Sequence, residues 1–192
     1  MSKIAIIHHS GYGHTAVVAD AVAQGARDAG AEVSVIRLEG PGQDFAPALA
    51  AADGADAIIF GSPTYMGDVS ATLKAFFEAS SKAWASGAWR DKIAAGFTNS
   101  LSLSGDKSNT LGSILVFAMQ HGMIWVGTGL PPGNANGNST SAPDAVNRLS
   151  YSVGLATQSD NASPEVTPSA GDRETARLFG ARIARVAAAL KR

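Results

Sequence analysis

Short apolar runs separated by longer amphipathic stretches set the frame of this chain. Ile4, Ile6 and Ile7 form a compact run rich in β-branched residues, which predicts a strand buried on both faces. The alanine- and valine-rich stretch from Ala16 to about Ala29 predicts a helix that Gly30 ends. The alternation then repeats. Strands are expected over Glu32–Arg37, Ala57–Phe60, Lys92–Phe97 and Met123–Val126, with helices over Pro47–Ala52, Ser70–Trp84 and Thr110–His121 between them. A last helix is expected from about Arg173 to Lys191, with Asp172 as its cap and Ala176, Phe179, Ile183, Val186, Ala187 and Leu190 on its apolar face. Between Gly127 and Gly171, Pro, Ser, Asn and Gly accumulate, and this stretch reads as one long loop.

Five strands, each followed by a helix, imply an α/β domain over residues 1–192: a parallel sheet with helices on both faces. Right-handed crossovers narrow the choice to doubly wound folds. In these, ligands bind beyond the strand C-termini, where the strand order reverses. Three polar, glycine-containing or hydroxyl-rich loops leave the first, third and fourth predicted strands at that edge. They are Ser10–Thr15, Gly61–Gly67 and Thr98–Ser108.

Composition removes several classes of function. With 45% apolar residues, 16% charged residues and a net charge of −1, the chain has no basic excess for nucleic acid or an anionic membrane. Its apolar segments are too short and interrupted to span a bilayer. Cysteine is absent, which excludes disulfides, thiolate catalysis and Cys-ligated metals. Lys3 leads into a brief strand rather than a long apolar leader, so a cytoplasmic location is expected. The acidic residues are scattered without metal-ligand spacing, and His8 and His9 point to opposite faces of one strand, so no metal site is expected.

The first loop carries the most chemistry. Ser10, Gly11, Tyr12, Gly13, His14 and Thr15 stand between a strand and a helix N-terminus. Free N–H groups of the first helical turn, and about half a positive charge from the helix dipole, make such a turn an anion pocket. Ser10 and Thr15 add hydroxyl donors. The turn has neither Lys nor Arg, so it is not a Walker A site and would hold a phosphate with neutral donors. An ordinary β–α connection with a Ser/Thr cap is the alternative.

The segments Ser10–Thr15, Ile58–Gly67, Trp84–Ala88 and Gln120–Met123, taken in that order, resemble those of the flavodoxin-like FMN proteins, and among them the WrbA-type NAD(P)H:quinone oxidoreductases. The resemblance implies a flavodoxin-like five-stranded parallel sheet of order 2-1-3-4-5. It implies FMN as cofactor, with NAD(P)H and a quinone as substrates and a homo-oligomer, dimer or tetramer, as the assembly. Ser10 to Thr15 would hold the FMN phosphate. Pro63, Thr64, Tyr65, Met66 and Gly67 would lie beside the isoalloxazine ring, and Thr98, Asn99, Ser100, Leu101, Ser102 and Leu103 along its other edge. His121 would be the histidine near the flavin O2 side and the residue with a catalytic role. Tyr12 would contact the nicotinamide or adenine, and Trp84 would lean over a neighbouring subunit's flavin. Read without the family, His121 is a helix C-terminal residue favoured by the dipole, and Trp84 with Phe76 and Phe77 is packing.

The chain also departs from that family. Tyr65-Met66 stands where the family shows Arg-Phe, which removes a cation from the nicotinamide approach. The third loop, Asn99-Ser-Leu-Ser-Leu-Ser104, carries leucines where the family is rich in glycine and threonine. A flavodoxin-type electron carrier, or an FMN-binding protein with little reductase activity, is the alternative function.

Overall fold

The computed structural model describes residues 1–134 and 142–191. Strand β1 (Lys3–His9) enters first, and its Ile4–Ile7 run is buried on both faces. Helix α1 (His14–Asp28) returns the chain to β2 (Glu32–Leu38), and α2 (Ala46–Asp53) leads to the central β3 (Ala57–Tyr65). After the two-residue β4 (Asp68–Val69) come α3 (Ala71–Ala79), α4 (Ser81–Ser86), β5 (Ile93–Ser100) and α5 (Lys107–Gln120). The chain ends with β6 (Ile124–Trp125), β7 (Leu155–Gln158) and α6 (Ala170–Leu190).

The main path of the sheet is β2-β1-β3-β5-β6, all parallel, the order expected for a flavodoxin-like fold. Period-two alternation divides its strands between two cores. Ile4, Ile6 and Ile59 pack with α1 and α6 on one face, while Ala5, Ile7, Ile58 and Phe60 pack with α2, α3 and α5 on the other. Helices α1 and α6 approach closely at Gly180, where any Cβ would overlap the Val22 carbonyl oxygen. Only glycine permits that approach.

Four expectations are corrected. The long loop predicted over 127–171 contains a strand: β7 pairs with Phe97–Ser100, while β6 pairs with Ile93 and Ala94. The fifth rail of the sheet is therefore laid in two pieces on one neighbour. Leu155-Ala-Thr-Gln158 is buried at every position, so it shows no alternation that would mark it against its Ser- and Asn-rich surroundings. Residues 135–141 of the predicted loop lie outside the described residues. The helix expected over Ser70–Trp84 breaks at Ser80, whose Oγ donates to the Phe77 carbonyl (2.7 Å). The third loop begins later than predicted, because Thr98 to Ser100 continue β5. The cap of α6 is Ser169, whose Oγ accepts from the Asp172 N–H. Asp172 itself is buried in an ion pair with Arg148 (2.8 Å).

Candidate functional site

The register of β1, β3 and β5 delivers their C-termini to one edge: His8 stands beside Gly61, and Pro63 beside Asn99. Gly13, at φ 94°, turns the chain from Ser10 into α1. The buried Ser10 hydroxyl accepts from the Ala16 N–H (3.1 Å), and its carbonyl accepts from Arg37 (3.0 Å). Arg37 comes from β2 and places a guanidinium behind a turn whose own residues carry no fixed positive charge, a neighbour that sequence spacing does not reveal. The His14 ring bonds the Ala162 carbonyl (2.8 Å).

The second loop is a tight hairpin in which Thr64 and Tyr65 pair with Val69 and Asp68. Met66 and Gly67 turn it with positive φ, and Met66 is fully exposed. Thr64 ties the site together: its hydroxyl bonds those of Thr98 on β5 and Thr110 on α5, both at 2.8 Å. The Tyr65 hydroxyl stands over Gly11 and meets its backbone N–H, and its ring meets Tyr12 edge-on (centroids 6.4 Å apart). Burial, and then Tyr12, raises the Tyr65 pKa, so this hydroxyl stays protonated and neutral.

At the end of β5 the buried Asn99 side chain donates to Ser159 Oγ (3.0 Å) and accepts from Thr157 Oγ1 (2.9 Å). Ser100 and Leu101 receive backbone N–H groups of Ser159 and Asp160.

These segments enclose a cavity of about 390 Å³, within the range of small-molecule sites. Tyr12, His14 and Thr15 form one wall, Pro63, Thr64 and Tyr65 a second, and Asn99, Ser100 and Leu101 a third. The structure thus brings all three predicted loops together. Ser10, Gly11, Gly13, Met66, Gly67, Thr98, Ser102 and Leu103 lie outside its lining. A fourth wall, Ser159 to Ala162, has no counterpart in the sequence reading. It follows directly on β7, and Pro164, just beyond it, lies against Gly13.

His121 and Trp84 are not at this cavity within one chain. α5 starts beside the third loop and runs 14 residues away from it, about 20 Å, and His121 caps its far end. There His121 stacks on Trp89 (4.3 Å) and bonds Ser80 Oγ (3.0 Å). Burial lowers its pKa, which keeps the ring neutral. With Trp84, Phe77 and Phe117 it lines a separate groove of about 860 Å³ between α3, α4 and α5. Of the remaining histidines, His8 is lowered to about 4 by burial, then by Arg37 and His9, and His9 is lowered by burial and Arg37. Among the described residues no group of three or more His, Cys, Asp or Glu is placed to hold a metal ion.

A family model described as NADPH-dependent FMN reductase matches residues 2–136, the part of the chain that builds three of the four walls. The chain belongs to the NADPH-dependent FMN reductase family. Among its relatives is "Flavodoxin FldP" of Pseudomonas aeruginosa, 42% identical over 187 residues, 97% of each chain. An "NAD(P)H dehydrogenase (quinone)" of Caulobacter vibrioides is 37% identical over 141 residues, 66% of this chain and 71% of that one. The crystal structure of a "flavodoxin, WrbA-like protein" from Agrobacterium tumefaciens superposes with a TM-score of 0.76 at 42% identity, covering 100% of both chains. The fold of this FMN reductase family member is therefore flavodoxin-like, β7 included.

Proposed function

We propose that this chain is an FMN-dependent oxidoreductase that passes two electrons from NAD(P)H to a quinone. The observation that carries the reading is the single cavity built from three loops at one sheet edge, with a neutral-donor turn at the N-terminus of α1. The residues fit FMN. The free N–H groups of the first turn of α1 and the Ser10 and Thr15 hydroxyls suit a phosphate. The backbone of Pro63–Tyr65 and Asn99–Leu101 suits the edges of a flat heterocycle. FMN supplies the redox chemistry when bound, and the protein supplies position and electrostatics.

Thr64, through Thr98 on β5 and Thr110 on α5, ties the second loop to the two elements that flank the third. Tyr12, 79% exposed at the mouth, is the contact for the nicotinamide or adenine of NAD(P)H. NAD(P)H and quinone would occupy the mouth in turn, which makes the kinetics ping-pong. His121 and Trp84 act, in this reading, across an interface: the groove they line on one protomer receives the cavity mouth of another in a dimer or tetramer. No helix among the described residues is long and apolar enough to cross a membrane; a cytoplasmic location is part of the proposal.

The test is a fluorescence titration of the purified protein with FMN, followed by steady-state NADH and NADPH oxidation with benzoquinone. Micromolar or tighter binding and turnover with parallel double-reciprocal lines are expected. A protein that neither quenches FMN nor gains thermal stability from it refutes the reading.

A second reading, a flavodoxin-type carrier, is favoured by the relative named a flavodoxin, which matches nearly the whole chain. A carrier would bind FMN yet show almost no NAD(P)H turnover. Its docking partners usually call for a strongly acidic surface, and a net charge of −1 does not provide one.

A further inference from the structure

Lys107, the first residue of α5, is fully buried. Its Nζ donates to the backbone carbonyls of Ser102 and Leu103, the latter at 3.0 Å. Among the described residues no carboxylate stands within ion-pair distance of it. The charged groups that face it are Asp172 on α6, Arg148 beyond β6 and Asp160 at the cavity wall. Asp172 is already paired with Arg148.

An ammonium without a counter-ion in a buried place is costly, and chains retain one where its charge is used. The loop it grips continues directly from Ser100 and Leu101, which wall the cavity. The cradle's own turn has no Lys or Arg. Behind the loop the field of Lys107 is poorly screened, because water is excluded.

We infer that Lys107 is a positioning residue that holds the third loop and supplies a buried positive potential favouring the reduced state of the bound coenzyme over the oxidised one. The inference rests on the FMN reading above. Two electrons taken up with one proton add one negative charge to the bound group, so a nearby cation stabilises that state more. A binding preference of about tenfold is the expected scale, which for a two-electron couple is about 30 mV.

The test compares FMN dissociation constants of the oxidised and dithionite-reduced coenzyme, and the midpoint potential, in wild type, Lys107→Met and Lys107→Arg. Lys107→Met should bind oxidised FMN within about threefold of wild type, bind reduced FMN about tenfold more weakly, and lie about 30 mV lower in potential. Lys107→Arg should restore the wild-type ratio. Should Lys107→Met fail to fold, the wild-type potential still reports. Burial draws the Lys107 amine down to about 8, so proton uptake should rise from one towards two per electron pair between about pH 8 and 9, where carboxylates and guanidinium groups do not titrate. An unchanged ratio in Lys107→Met, or one proton per pair throughout pH 7 to 9.5, overturns the inference while leaving FMN binding intact. Failure of the wild type to bind FMN overturns both.

Discussion

Asp172→Ala is the substitution with the largest calculable effect. The Asp172 carboxylate is 2% exposed and accepts from Arg148 Nε (2.8 Å), from a second Arg148 nitrogen (3.0 Å) and from the Gln158 backbone N–H (2.8 Å). Its position in the first turn of α6 adds a dipole contribution of at most about 1 kcal/mol. The ion pair decides the outcome, because deleting one member of a buried pair leaves the other charge uncompensated, at a cost of about 3–5 kcal/mol. For a chain of this length that corresponds to a fall in Tm on the order of 10 °C, from roughly 2–4 °C per kcal/mol. Thermal unfolding by circular dichroism reads it. The double variant Asp172→Ala/Arg148→Met should lose less than the sum of its single variants, because both charges leave together. Since Gln158 leads directly into the fourth cavity wall, FMN affinity should fall in the single variant as well. A Tm within about 2 °C of wild type, or strict additivity in the cycle, would show that the pair is not the tie described here.

Three further expectations follow from the same geometry. Tyr65→Phe removes the hydroxyl that meets the Gly11 N–H; with a competitor worth about 0.5–1.5 kcal/mol gone, FMN should bind roughly two- to tenfold tighter and riboflavin unchanged, and equal shifts for both would refute the phosphate assignment of that turn. His8 is held neutral in the fold, at about 4, against 6.5 when unfolded. The unfolded chain therefore takes up more protons, and stability should fall as pH drops from about 6.5 to 4, by roughly 3 kcal/mol at pH 4; urea titrations across that range should show a flatter profile for His8→Asn. Gly180→Ala places a methyl group against the Val22 carbonyl and should cost about 1–3 kcal/mol, read as a lower urea midpoint at constant slope.

Much of the fold was legible because its signals were local. The Ile4–Ile7 run, the glycine-bearing turn after it and the alternation of strands and helices are properties of neighbouring residues, and a parallel, doubly wound sheet followed from them; its strand order came from the family likeness. The three loops could be placed at one edge for the same reason. What escaped the sequence is non-local. Leu155–Gln158 is strand only because β5 offers an unpaired edge beyond Ala94, and the Ser159–Ala162 wall depends on it. Asp172 resembles a cap until Arg148, 24 residues earlier, arrives beside it. Arg37 reaches Ser10 from the neighbouring strand, 27 positions on. His121 was assigned to the cavity through family likeness, whereas the length of α5 carries it to the opposite end of the helix.

The division of the outermost strand has a consequence for biosynthesis. The turn proposed to hold the phosphate lies within the first fifteen residues and leaves the ribosome early, yet the segment that completes its cavity is encoded after position 154. A nascent chain therefore exposes a half-built receptacle for most of its translation. On the proposed reading, coenzyme capture is expected late, coupled to completion of the polypeptide rather than to emergence of its first motif.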